Sequence, residues 1–187
     1  MALTYSANLL PPGTPAPPFE LPGVDGRTWS LDDFSEAKLL VVVFTCNHCP
    51  YAKASEQRLV DIQRDYASRG VRLVAINPND AERYPDDDFE HMKRRAAERG
   101  FNFPYLRDES QQVARAYKAA CTPDVYVFDA ERKLVCQSRI DDNWQEPEKV
   151  TRRDLRLILD ALLEGRPLPF EPVPSMGCSI KWKGQGL

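Results

Sequence analysis

A short apolar run that leads directly into two closely spaced cysteines constrains this chain more than any other feature. Residues 38–45 read KLLVVVFT, and Cys46-Asn-His-Cys49 and Pro50 follow at once. A continuous, β-branched apolar run predicts a strand buried on both faces, as at the centre of a sheet covered by helices. Pro50 favours a helix start, because the first turn of a helix does not use the N–H that proline lacks. Both cysteines are therefore expected where a central strand meets its helix.

Strand and helix signals alternate along the rest of the chain. Helical spacing follows Pro50 and stops near Gly70, and the apolar run Val71–Asn77 predicts the next strand. Thr151 lies three residues before Asp154, a spacing that resembles a capping box and predicts the start of the last helix. This order predicts an α/β fold with a central mixed β-sheet flanked by helices.

The two ends of the chain differ in character from its middle. Roughly the first 18 residues are rich in proline and predict an arm, and the Gly-Val-Asp-Gly turn that follows predicts an N-terminal β-hairpin. Residues 166–187 contain four prolines and little periodicity, so they predict an irregular C-terminal tail rather than a regular element. Because Met176, Ile180 and Trp182 are apolar, we expect this tail to pack on the domain.

Length and charge limit the class of protein. A chain of 187 residues is long enough to bury a core as one domain, which we place at about residues 17–165. A formal net charge of -3 gives no sign of a nucleic-acid or membrane partner. The N-terminus lacks the basic and apolar regions of a signal peptide, so we expect a cytoplasmic protein. No cofactor is expected.

Five cysteines carry the chemistry that the sequence offers, at positions 46, 49, 121, 136 and 178. In a reducing compartment a close cysteine pair is more often catalytic or metal-binding than structural. Cys46 and Cys49 could thus be a redox dithiol, half of a metal site or two core residues. The dithiol is favoured and no metal is expected, because structural zinc usually takes four ligands and the sequence holds no second Cys-x-x-Cys or His-x-x-x-His.

The expected helix start also predicts which thiol reacts. Unbonded N–H groups and the partial positive charge at a helix N-terminus favour a thiolate, and a protonated His48 could add a second cation. We predict that Cys46 is the exposed attacking thiol and Cys49 its more buried partner. Cys121 is expected to pack, whereas Cys178 in the tail is a candidate third thiol that could resolve an oxidised Cys46 or Cys49, or simply pack.

These motifs resemble the thioredoxin-like superfamily, and more closely its redoxin branch, which includes the AhpC/TSA proteins and peroxiredoxins. The resemblance covers about residues 17–165 and rests on FELPGVDGRTWSLDDF, VVVFTCNHCP, FPYLRDESQQVARAY and CTPDVYVFDAERKLV. It implies a thioredoxin-like fold in which a cis Pro123 faces the dithiol and Thr122 pairs with substrate. The tail motif GCSIKWK is similar to a peroxiredoxin-like group of such proteins.

The sequence departs from both branches where each has helper residues. In the peroxiredoxin pattern Cys49 takes the place of the nucleophilic cysteine, but Cys46, Val42 and Pro123 stand where a threonine, a proline and an arginine are expected. In the thioredoxin pattern Leu40 stands where a buried aspartate is expected. The peroxide-activating set is therefore missing apart from the thiol, and proton transfer from the buried cysteine lacks its usual helper.

Three functions follow from these patterns. The first is a thiol-disulfide oxidoreductase, in which Cys46 attacks a substrate disulfide and Cys49 resolves the mixed disulfide. The second is a peroxiredoxin-like thiol peroxidase with an antioxidant role, in which one cysteine becomes a sulfenic acid. The third is a non-catalytic redox switch or binding module. Expected partners are disulfide-containing proteins, small thiols or peroxides, and a reductant.

Overall fold

The computed structural model describes residues 3–7 and 9–184, which form ten β-strands and four α-helices. In chain order these are β1 Leu3–Tyr5, β2 Glu20–Pro22, β3 Thr28–Ser30, β4 Leu39–Phe44, α1 Pro50–Tyr66, β5 Val71–Asn77, α2 Phe89–Arg99, β6 Tyr105–Arg107, α3 Gln112–Ala116, β7 Cys121–Thr122, β8 Asp124–Phe128, β9 Leu134–Gln137, α4 Asp154–Leu163 and β10 Met176–Ser179. Across the described ranges, no helix combines the length and the apolar character that crossing a bilayer requires.

A five-stranded mixed sheet forms the centre of the fold, in the order β6-β5-β4-β8-β9. β4 runs parallel to β5 and antiparallel to β8, and every residue of β4 is buried. The apolar run therefore is the central strand, because only a strand covered on both faces is apolar at every position. The predicted α/β fold with a central mixed sheet flanked by helices is confirmed.

Alternate residues of β4 enter two separate cores. Val41 and Val43 belong to one core with residues of α1 and α4, such as Leu59 and Leu155. Leu40, Val42 and Phe44 face a second core, which the N-terminal segment and the region around α3 cover with Phe19, Phe34 and Tyr117, among others. The two-residue period of a strand thus divides one uniform sequence between two packed layers.

The start of the last helix differs from the prediction. α4 begins at Asp154, but Thr151 does not cap it; the Thr151 amide and hydroxyl both donate to the carboxylate of Asp142. Asp154 is fully buried, where its carboxylate accepts from Arg139 at 2.7 Å and from Arg152 at 2.6 Å. The predicted capping box is wrong because two guanidinium groups bind the carboxylate that would have completed it.

Both chain ends contain a strand, which corrects the predictions of an arm and of a wholly irregular tail. β10 pairs antiparallel with β1 on one side and with β7 on the other, in a second sheet of three strands. Both end strands are too short for hydrophobic periodicity to reveal them. The tail continues beyond β10 with a buried Ile180, and the guanidinium of Arg115 lies 4.4 Å from the ring centre of Trp182. The predicted hairpin is present as β2 and β3.

Candidate active site

The two cysteines of the Cys-x-x-Cys motif lie where β4 gives way to α1. Cys49 is the residue immediately before the helix, with Pro50 in its first turn. Cys46 has 2% of its surface exposed and Cys49 none, and both are thiols. The prediction that Cys46 is exposed is therefore wrong: the loop that begins at Thr122 covers both sulfur atoms.

Thr122 contacts both thiols from the opposite side of the site. Its hydroxyl Oγ1 lies 3.2 Å from Cys46 Sγ, and its carbonyl accepts a hydrogen bond from the protonated Cys49 thiol at 3.3 Å. The Thr122–Pro123 peptide bond is cis, as the family resemblance implied. One residue from a distant strand therefore contacts both sulfur atoms.

A buried carboxylate, Asp87, organises the loop between the two cysteines. Its side chain accepts hydrogen bonds from the Asn47 amide at 2.6 Å, from Asn77 Nδ2 at 3.1 Å and from Asn79 Nδ2 at 2.9 Å, and it lies 2.5 Å from His48 Nδ1. Burial acts to raise the pKa of Asp87, but the hydrogen bonds, with that of His48 the largest, hold it below its ordinary value. Asp87 is therefore an anion inside the protein.

Asp87 is the site residue that the sequence did not reveal. In the run Asp86-Asp87-Asp88, the carboxylate of Asp88 caps α2 by accepting from the His91 amide at 2.8 Å. Nothing in three successive aspartates distinguishes the middle one as buried. Its role depends on a contact with a loop 40 residues earlier in the chain, which no local pattern encodes.

His48 is occupied by this carboxylate rather than directed freely at a thiolate. Its ring also stacks on Tyr84, with 5.0 Å between the ring centres and 11° between the planes. Possible ligand atoms of Cys46, His48 and Asp87 lie within 4.8 Å of one another, so these three residues could hold a metal ion. A fourth protein ligand would have to come from Cys49, and the Asp87 oxygens already accept several N–H groups.

The surroundings of Cys49 favour its thiolate. The hydrogen bond from Cys46 lowers the pKa of Cys49 most, and burial opposes it. The Cys178 thiol and the backbone N–H groups of Ala52 and Cys178 lower the pKa further, to about 5. Burial, the hydrogen bond to Cys49 and the negative charge of Asp87 raise the pKa of Cys46 well above its ordinary value. The helix-start argument therefore applies to Cys49, because the helix begins one residue after it, and not to Cys46.

The other three cysteines differ in their relation to this pair. Cys178 lies against the dithiol, where burial and a hydrogen bond to Cys49 raise its pKa to about 12. Cys121 is buried, and its thiol donates to the Pro123 carbonyl at 3.4 Å. Cys136 lies in the core on β9, and burial raises its pKa to about 12. The structure thus brings together Cys46, Cys49 and Cys178, three of the five thiols.

Comparison with known proteins adds four similarities. The model of the AhpC/TSA family matches residues 12–137. A crystal structure of an uncharacterized conserved protein from Geobacillus kaustophilus is 48% identical, covers 100% of this chain and 99% of its own, and has a TM-score of 0.93. A Mycobacterium tuberculosis protein named "Putative peroxiredoxin" is 26% identical over 117 residues, which are 63% of this chain and 69% of that one. The thiol-disulfide oxidoreductase ResA of Geobacillus thermodenitrificans is 24% identical over 122 residues, 65% of this chain and 66% of its own.

Proposed function

Since this chain belongs to the AhpC/TSA family, we propose that it is a thiol-disulfide oxidoreductase that cycles between the Cys46/Cys49 dithiol and the corresponding disulfide. One arrangement carries the proposal: Cys46 and Cys49 lie in one buried cluster at the start of α1, Thr122 beside the cis Pro123 contacts both sulfur atoms, and the neighbouring Cys46 lowers the pKa of Cys49 to about 5. A thiolate is the nucleophile of disulfide exchange, and a thiol in contact with it is placed to form the second sulfur–sulfur bond.

In the proposed reaction Cys49 makes the first attack, which reverses the roles assigned from the sequence. The Cys49 thiolate attacks one sulfur of the substrate disulfide, an S–S bond forms, and the other substrate sulfur leaves as a thiolate. Cys46 then gives its proton to the departing thiolate and attacks the Cys49 sulfur. This step releases the reduced substrate and leaves a Cys46–Cys49 disulfide, which an external thiol reductant must open again.

His48 and Asp87 act in this proposal as positioning residues. Asp87 binds both the Asn47 amide and the His48 ring, so it fixes the two residues that separate the cysteines. Its negative charge also disfavours a thiolate at Cys46. The pair therefore helps to keep the proton on Cys46 until the mixed disulfide has formed.

A thiol peroxidase is the second candidate, and the low pKa of Cys49 favours it specifically. Cys49 takes the place of the nucleophilic cysteine in the peroxiredoxin pattern, although the peroxide-activating threonine and arginine are replaced. Its thiolate would attack a peroxide to give a sulfenic acid and release water or an alcohol. Condensation with the Cys46 thiol would then expel water and form the same Cys46–Cys49 disulfide.

Two assays on one preparation distinguish these functions. Insulin reduction driven by dithiothreitol supports the oxidoreductase, whereas thiol-coupled consumption of hydrogen peroxide without insulin reduction supports the peroxidase. Cys49→Ser is expected to abolish either activity, and Cys136→Ser, a buried cysteine on a strand away from the dithiol, serves as the matched control. Neither activity in a correctly folded protein would overturn both candidates and leave a redox switch or binding module.

A further inference from the structure

Cys49 lies between two thiols rather than beside one. Cys46, Cys49 and Cys178 form one buried cluster with Ala52, and the neighbouring Cys46 and Cys178 both lower the pKa of Cys49. Cys46 reaches Cys49 through a short loop, whereas Cys178 comes from the far end of the chain. An oxidised Cys49 therefore has two candidate partners.

Strand pairing directs Cys178 at the dithiol. β10 pairs antiparallel with β7, and Cys178 stands directly opposite Thr122. Directly opposed residues of an antiparallel pair project their side chains to the same face, and the Thr122 hydroxyl already lies 3.2 Å from Cys46 Sγ. The other edge of β10 is held by β1, where Leu3 is opposite Cys178. The backbone thus fixes the Cys178 thiol from both sides.

Gly177 allows β10 to approach the site this closely. A Cβ atom at this position would lie 2.1 Å from the carbonyl oxygen of Thr122, far inside contact distance. Even an alanine at position 177 would therefore force β10 away from Thr122. The substitution offers a way to move Cys178 without changing any thiol.

Cys121, the other thiol in this region, lacks such a placement. Its thiol donates to the Pro123 carbonyl, two residues along its own chain. Neither Cys46 nor Cys49 has Cys121 among the hydrogen bonds that set its pKa. Cys178 is thus the additional thiol that is positioned to react with Cys49.

We propose that Cys178 is a third redox-active thiol of this site, which β10 presents to Cys49 as an alternative disulfide partner. This inference rests on the proposed function. The Cys178 sulfur attacks the Cys49 sulfur of a Cys46–Cys49 disulfide, the new Cys49–Cys178 bond forms, and Cys46 leaves as a thiolate that takes up the proton lost by Cys178. One disulfide is exchanged for another, so the step needs no further oxidant.

Peptide mapping after mild oxidation with diamide tests the proposal. In Cys46→Ser, which removes the nearer partner, we expect a Cys49–Cys178 disulfide and loss of alkylation at both residues. The double variant Cys46→Ser/Cys178→Ser should form no intrachain disulfide, and Cys46→Ser/Cys136→Ser should behave like Cys46→Ser. An oxidised Cys46→Ser protein in which Cys178 stays fully alkylatable overturns the proposal.

Gly177→Ala in the Cys46→Ser background tests the role of β10. We expect formation of the Cys49–Cys178 disulfide to slow by about tenfold or more, because disulfide geometry tolerates little displacement of the partners. An unchanged rate would overturn the proposal that β10 positions the Cys178 thiol for reaction with Cys49. Failure of the proposed function is recognised separately, because the wild-type protein would then form no Cys46–Cys49 disulfide on oxidation and would not reduce insulin.

Discussion

Both thiols of the dithiol are buried, and the groups around them have opposite electrostatic effects. On one side Cys46 faces the Thr122 hydroxyl and the buried anion Asp87, which disfavours a thiolate. On the other side Cys49 faces thiol and backbone N–H donors from Ala52 and the tail, which favour a thiolate. Burial raises the pKa of both thiols, so it does not by itself lower the pKa of either one. The groups that surround each sulfur, rather than its order in the motif, decide which one carries the charge.

The largest expected effect concerns the thiolate itself. In the reduced protein, a thiolate should appear by ultraviolet absorbance with a midpoint near pH 5. Cys49→Ser should remove this transition, whereas Cys46→Ser should retain a transition well below pH 9, because a serine hydroxyl can still donate to Cys49. The reverse pattern, in which Cys46→Ser removes the transition, would break the comparison and restore Cys46 as the nucleophile.

A second expected effect is the free energy of unfolding that the buried Asp87 carboxylate contributes. Asp87→Ala leaves several buried N–H donors without their acceptor, so the free energy of unfolding should fall by about 2–4 kcal/mol in urea titrations. Asp86→Ala is the matched control, because Asp86 is exposed and Asn47 contacts only its backbone carbonyl; its effect should stay within about 0.5 kcal/mol. Equal losses in the two variants would contradict the assigned role of Asp87.

A third prediction extends the comparison to a second buried carboxyl group, Asp124. Its Oδ2 accepts from the Ser6 hydroxyl, the Ala120 amide and the Tyr126 hydroxyl, yet burial outweighs these bonds and raises its pKa to about 7. A raised pKa in the folded state means that this group stabilises the fold below about pH 4 and loses that contribution as pH rises through 7. Asp87, whose pKa is lowered, has the opposite sign: its contribution is present above about pH 4 and is lost as pH falls.

Urea titrations from pH 4 to pH 8 measure the contribution of Asp124. Wild-type stability relative to Asp124→Asn should decline across this range, at a slope of at most about 1.4 kcal/mol per pH unit. Asp129→Asn, on the turn after β8, is the control and should run parallel to the wild type. A flat difference between the wild type and Asp124→Asn would show that Asp124 is ionised in the fold at every pH tested.

The smallest expected effect is the contribution of Cys178 to the low pKa of Cys49. Cys178→Ala removes one donor to Cys49, so the midpoint of the thiolate transition should rise, but by less than in Cys46→Ala, which removes the strongest donor. Cys136→Ala should leave the midpoint unchanged, because Cys136 lies in the core on β9. Equal shifts in Cys46→Ala and Cys178→Ala would mean that Cys178 lowers the pKa of Cys49 as much as Cys46 does.

The sequence predicted the parts of this protein that local patterns encode. The continuous apolar run predicted the central strand, Pro50 predicted the start of α1, and the resemblance in Thr122–Pro123 predicted the cis peptide bond. Each of these features depends on a few consecutive residues, or on a motif that a family shares. The general nature of the dithiol could therefore be predicted before its geometry was known.

What the sequence could not predict depends on distant contacts. Asp87 binds a loop 40 residues away and gave no local signal within its acidic run. The prediction that Cys46 is exposed was wrong because Thr122, which contacts its sulfur atom, lies 76 positions later in the chain. The strand β10 is only four residues long, so its pairing with β7 and its delivery of Cys178 could not be seen in periodicity.

The position of β10 also bears on the molecules that can reach the dithiol. Extended polypeptides often bind by adding a strand to an exposed sheet edge, and the edge of β7 beside Thr122 would be such a place if it were unpaired. β10 already holds that edge, and Gly177 packs its backbone against the Thr122 carbonyl. A polypeptide that bound at that edge would therefore have to replace β10 strand for strand. β10 thus occupies, with the protein's own backbone, the place beside Thr122 where an added strand would otherwise pair.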